Sequence, residues 1–161
     1  MLLYGAILGV LSAIFSFMLY TMDMHYQGGT FVTLVSVVLS TALYAVAMYQ
    51  FRNANSNLMS FWQGVKIGVG VAVISGIIIV LFNLLLTRVI DPETMTKAMN
   101  FKREQLIENT EMTIEQIDAQ LEIAQQFQTP AIQAAFGLLF AVIFGFLLSL
   151  IPAAILKRSE D

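Results

Sequence analysis

The sequence predicts an all-α integral membrane protein: four transmembrane helices, with an amphipathic helical insert of two helices between the third and the fourth. Three observations predict it. Of 161 residues, 58% are hydrophobic and 12% charged, at a mean hydropathy of +0.77, which is more apolar surface than a soluble domain of this length can bury. Four runs reach the roughly 20 apolar residues that cross a bilayer, and none has a charge at its centre. Charge is also segregated: residues 91–129 hold eight acids and three bases, while the rest of the chain holds three acids and five bases.

The first span is expected at about residues 2–20. It has no basic leading region, its apolar run is too long for a signal peptide, and MLYTMDMHYQ offers no small-x-small cleavage site, so it reads as a retained helix. The polar turn TMDMHYQGG is short, so a second span at about 30–51 must return antiparallel to the first. The turn RNANSNLMSFWQG leads likewise to a third span at about 65–87, and a fourth is expected at about 131–156. Each must be helical, because backbone groups in lipid have to pair within their own segment. No internal repeat is visible, and residues 1–161 read as a single membrane domain.

Four spans place both termini on one side. Arg52, Lys66, Lys157 and Arg158 fall on that side in short or terminal segments, whereas Arg88, Lys97, Lys102 and Arg103 are diluted through the long third connection. Counted strictly the two sides tie, and concentration in short segments favours cytoplasmic termini. The expected location is therefore the bacterial inner membrane, with residues 91–129 outside.

Within that insert, Asp91-Pro92 reads as an N-cap followed by proline at the first helical position, where its missing N–H is harmless. A second start is expected at Thr113, with Gln116 completing a capping box, followed by Ile114, Ile117, Leu121 and Ala124 at helical spacing. Thr129-Pro130 with Gln133 repeats the pattern ahead of the last span. Glu104, Glu108, Glu111, Glu115, Asp118 and Glu122 form a solvated face, and the opposing stripe, with Met95, Met99 and Leu106, needs a partner: the other insert helix, the bilayer surface or another protein. The acidic balance argues against anionic headgroups as that partner.

Small residues recur every fourth position: Gly5 and Gly9 in the first span, Gly64, Gly68, Ala72 and Gly76 in the third, and Gly137, Ala141, Gly145 and Ser149 in the fourth. Lipid supplies little hydrophobic drive between helices, so close approach through small faces is what yields packing contacts. These faces should therefore meet protein, within one monomer in preference to a homo-oligomer seam.

Polar candidates are few. Lys66 and Arg88 lie near span ends and can snorkel. Asn83 lies about 10 Å from the middle of its helix, where a structural hydrogen bond to a neighbour is preferred to a solute site. Met18, Met22, Met24 and His25 cluster in sequence, yet a single His among methionines matches no ligand spacing, so no metal or other cofactor is expected. There are no cysteines, and every Asp and Glu lies outside the spans. No nucleophile–base or acid–base pair follows, and the expectation is that the chain is not an enzyme. An acidic chain likewise has no footprint for nucleic acid.

Tyr4-Gly5 with Gly9, the string FWQGVKIG at 61–68, Asn83, the Asp91-Pro92 pair and Ile155-Leu156-Lys157 resemble a bacterial membrane family, domain of unknown function 4199, known mainly from Bacteroidota. The resemblance implies a four-helix inner-membrane protein with a helical insert before the last span, and no activity. The expected function is that of a non-enzymatic interaction component whose acidic insert docks another membrane or periplasmic protein, or a second copy. The alternative is a subunit of an oligomeric transporter or channel for a small solute, with Asn83, Gln133 and Ser149 along the path.

Overall fold

The computed structural model describes residues 1–24, 29–127 and 129–158, and is all-helical within them. Four long apolar helices, α1 (Leu2–Thr21), α2 (Thr30–Ala54), α3 (Phe61–Leu85) and α6 (Pro130–Leu156), are joined by short turns and by two shorter helices, α4 (Thr94–Asn109) and α5 (Ile114–Gln126). Each of the four is long and apolar enough to cross a membrane, and no more than 22% of its apolar window is buried. Phe31 and Ile155 are more than 70% exposed on the outside of the bundle. Such an exterior suits a hydrocarbon solvent.

Helix α3 is central and packs on α6 and α1. Along the α3–α6 seam Gly64 lies against Ala153, Gly68 against Ser149, Ala72 against Gly145, Gly76 against Ala141, and Val80 against Gly137. Each step of four forward on α3 is a step of four back on α6, so the two small faces interlock in one antiparallel register. A Cβ added at Gly64 or Gly76 would come within 2.8 Å of its partner's Cβ, a separation that real side chains do not tolerate. Gly5 and Gly9 of α1 meet Ile74 and Ile78 in a parallel register, so that face receives large side chains instead of small ones.

Several boundaries differ from the sequence expectation. Helix α3 starts at Phe61, four residues before the expected Val65, because Ser60 Oγ accepts from the Gln63 N–H and Gln63 Oε1 accepts from the Ser60 N–H, a complete capping box. Beyond Leu85 the helix widens into a π turn, Leu86–Ile90, closed by the Asp91 N–H on the Leu86 carbonyl at 2.7 Å. Asp91 does not cap a helix beginning at Pro92. Its carboxylate accepts from the Glu93 N–H and pairs with Lys97 Nζ at 3.0 Å, its carbonyl accepts from the Thr94 N–H, and α4 begins at Thr94. The Thr113–Gln116 box does start α5.

The packed core sits towards the end of the bundle that carries the termini. Within α2, α3 and α6 the buried residues are confined to 44–48, 64–75 and 145–153. A two-bond bridge between Met59 and Arg158 clamps the α2–α3 turn to the C-terminal segment, and Arg52 reaches the Leu156 carbonyl at the end of α6. Towards the insert end α2 has no buried residue to hold it against α3 and α6, and it parts from them.

Candidate functional site

The parting of α2 from α3 and α6 leaves a crevice of about 460 Å³. Its walls are apolar side chains of α3 and α6, among them Ile79, Val80, Leu84, Phe140, Phe144 and Leu148, and α2 contributes only Ser40 and Tyr44 at the inner end. The small residues set its position. Gly76 and Ala141 close the seam at the floor, whereas above them Ala134 and Gly137 face Val80 and Asn83 without filling the space between α3, α6 and α2.

Five residues bring polar side-chain groups to the lining: Ser40, Tyr44, Ser75, Asn83 and Gln133. The three at the inner end are satisfied locally, since Tyr44 hydrogen-bonds the Ser40 side chain and Ser75 Oγ donates to the Ala72 carbonyl at 3.0 Å. The two at the mouth are different: neither the Asn83 nor the Gln133 carboxamide hydrogen-bonds a described residue. Capping geometry places Gln133. Thr129 Oγ1 accepts from the Ile132 N–H and Pro130 occupies the first helical position, which leaves Gln133, one residue beyond the capping position, to face the crevice instead of reaching back to the cap. Asn83 sits just before the π turn, where the Thr87 hydroxyl donates to the Asn83 carbonyl at 2.8 Å. Among the described residues no Asp, Glu, Lys, Arg or His lines the cavity.

Sequence expectations map onto this geometry unevenly. Asn83 makes no hydrogen bond to a neighbouring helix; it shares the crevice with Gln133. Ser149 is fully buried against Gly68, with its hydroxyl on the Phe146 carbonyl, and lies off the path it was expected to line. The stripe expected to dock a partner is largely used inside the insert. Ile117 and Leu121 are buried, α5 packs on α4, and only Ile114 is widely exposed, with Ala124 half-buried. Arg103 grips Asp118 across that hairpin through two bonds of 2.7 and 3.2 Å, which lowers the Asp118 pKa and raises that of Arg103.

Met18, Met22 and Met24 are exposed, and His25 lies outside the described residues. Among the described residues no three His, Cys, Asp or Glu side chains come together to hold a metal. The contribution of α2 to the crevice escaped sequence reading. Its trace is the pair Ser40 and Tyr44, hydroxyls four residues apart on one face of a span that also carries Thr33, Ser36 and Thr41.

Comparison with known families bears on the whole arrangement. The family model described as "Protein of unknown function (DUF4199)" matches residues 3–158. The chain belongs to the DUF4199 family. No curated protein and no solved structure matches it. The DUF4199 match takes in every helix that lines the crevice together with the α4–α5 hairpin between them, and the family description assigns no activity, so function is argued from the geometry.

Proposed function

We propose that this protein crosses the bacterial inner membrane four times, with both termini cytoplasmic, and works without catalysis by holding a small membrane-dissolved molecule in the crevice. The observation that carries this reading is the pair of unpartnered carboxamides, Asn83 and Gln133, facing a cavity of about 460 Å³ at the membrane depth of α3 and α6. A cavity of that size accepts a drug-sized ligand. Gln133 lies in the first turn of α6 and Asn83 near the insert-side end of α3, so the two carboxamides form a polar rim above an apolar cavity and favour an occupant whose head pairs with them.

This reading follows the solute-handling alternative more closely than the docking one, because Ile117 and Leu121 are already spent on the hairpin. The hairpin, attached to the two helices that form most of the crevice, then sits on the periplasmic side. Of the cations without an ion pair to a described acid, four lie at the termini end, Arg52, Lys66, Lys157 and Arg158, and two at the insert end, Arg88 and Lys102, because Lys97 and Arg103 are paired with Asp91 and Asp118; that imbalance supports cytoplasmic termini.

Native mass spectrometry of the protein released from mild detergent tests the binding reading. A discrete adduct on the wild type that disappears in Ala134→Phe, with helix content unchanged, is expected. A wild type free of any adduct, together with equal labelling by a membrane-permeant thiol reagent of cysteines placed at Ala134 and at outward-facing Leu147, would sink it.

A further inference from the structure

Resting on the crevice reading above, we propose that the occupant is an uncharged amphipath with a single hydrocarbon tail. Asn83 and Gln133 hold its hydroxyl, carbonyl or amide head at the mouth, and its tail lies along α3 down to Tyr44.

The charge of the head follows from the lining. Among the described residues no Asp, Glu, Lys, Arg or His faces the cavity, so an anionic or cationic head would lose its water and gain no counter-charge, a far larger penalty than burying a neutral group that hydrogen-bonds. Each carboxamide offers two N–H donors and one carbonyl acceptor, so the pair can both donate to and accept from a neutral head. A plain hydrocarbon would leave both unpaired.

The shape of the tail follows from the walls. From Leu84 to Ala72 the lining spans twelve residues of α3, about 18 Å at the α-helical rise. Along that length it is faced by Ile79, Val80, Phe140, Phe144 and Leu148, and it ends on the Ser40–Tyr44 pair, whose hydroxyls satisfy each other. The volume suits one chain of drug-like bulk and is too small for a two-chained phospholipid.

The route of entry follows from α2. None of its residues before Ser40 lines the cavity and none before Tyr44 is buried, so the crevice opens sideways to the leaflet on the insert side. A molecule dissolved in that leaflet enters without crossing water.

The test uses the full chain in phosphatidylcholine nanodiscs and three photoreactive probes that carry the same mid-chain diazirine: hexadecanol, hexadecyl sulfate and hexadecane. Hexadecanol is expected to label the lining residues of α3 and α6 saturably, at concentrations about tenfold below the other two, the gain of one or two net hydrogen bonds. Replacing both carboxamides, Asn83→Leu with Gln133→Leu, should bring hexadecanol to the level of hexadecane, and Ala134→Phe should abolish labelling by all three.

Equal labelling by hexadecanol and hexadecane in the wild type would overturn the ligand class while leaving an occupied crevice, and preference for the sulfate would overturn it in favour of an anionic head. No saturable labelling of the lining by any probe, or lining residues crosslinked to a second copy instead, would bring down the crevice reading as well. Because the probe comparison is made on the wild type, it decides the matter even where a variant fails to fold.

Discussion

Replacing Gly68 by alanine tests the α3–α6 seam at its tightest point. The new Cβ would overlap Ser149 Cβ and stand 3.1 Å from Ser149 Oγ and 3.3 Å from Met48 Cε. Ser149 and Met48 are fully buried, and Ser149 Cβ is fixed to the backbone, so it cannot swing aside. Alanine brings about 0.5–1 kcal/mol of helix propensity, while forcing an extra methyl into a closed core costs about 1–3 kcal/mol. The expected net loss is about 0.5–2 kcal/mol. It spreads along the seam, because the helices share one register and lifting them at Gly68 also lifts Ala72 off Gly145. Gly70 is the internal control. It sits on the same helix, but its added Cβ would meet only the side chain of Met1, closest at its Sδ, which is flexible and can move aside, so Gly70→Ala should be neutral or gain about 0.5 kcal/mol of helix propensity. Ser149→Gly should rescue Gly68→Ala by moving the missing bulk across the seam, with a coupling of about 1 kcal/mol or more in a double-mutant cycle. Reversible unfolding in mixed detergent, followed by circular dichroism, reads the wild type and the four variants. If Gly68→Ala is as stable as the wild type, or Gly70→Ala is the worse of the two, the seam described here is wrong.

Four further outcomes are expected. Ile117→Ala should loosen the α4–α5 hairpin by about 2–4 kcal/mol, as for other buried aliphatic truncations, seen as new protease cleavage within residues 94–126. Asp118→Asn, at an exposed ion pair, should leave the cleavage pattern unchanged. The Asp91–Lys97 pair confers a pH window: Lys97 holds the Asp91 carboxyl below the usual range, and Asp91 raises the Lys97 ammonium. The Asp91 contribution is present above the ordinary carboxylate pKa and is lost as pH falls through the lower folded value; the Lys97 contribution is present below the ordinary lysine pKa and is lost as pH rises through the higher folded value. The protection factors of the first amides of α4, taken against the intrinsic exchange rate at each pH, should therefore hold level between about pH 5 and pH 9 and fall outside that window, with Asp91→Asn insensitive on the acid side. Ser60→Ala removes the cap of α3 and should cost about 1 kcal/mol, with fraying confined to the first turn.

How far the sequence could be read depended on whether a feature is local. The four apolar runs and the capping box at Thr113 are carried by consecutive residues, and their helices appear where expected. The same capping chemistry at Ser60 and Gln63 was equally present in the chain, but the apolar run starting at Val65 drew the boundary inward. Asp91-Pro92 marked a break correctly and a helix start wrongly. Asp91 spends its carboxylate on the turn and on Lys97, and Lys97 becomes its neighbour through the turn closed by the Thr94 N–H on the Asp91 carbonyl and the first turn of α4.

The sequence by itself determined the number of long apolar helices, the polar insert between the last two, and the small residues that let helices approach, because hydropathy, caps and side-chain size are properties of single residues and their immediate neighbours. It carried no sign of which faces pair. That Gly68 meets Ser149 while Gly5 meets Ile74, that Ile117 turns inward onto α4, and that Asn83 and Gln133 share one space were decided by tertiary structure. Each depends on the relative register and tilt of helices far apart in the chain. In lipid those are set by the best-fitting surfaces, since the solvent gives one apolar face no preference over another.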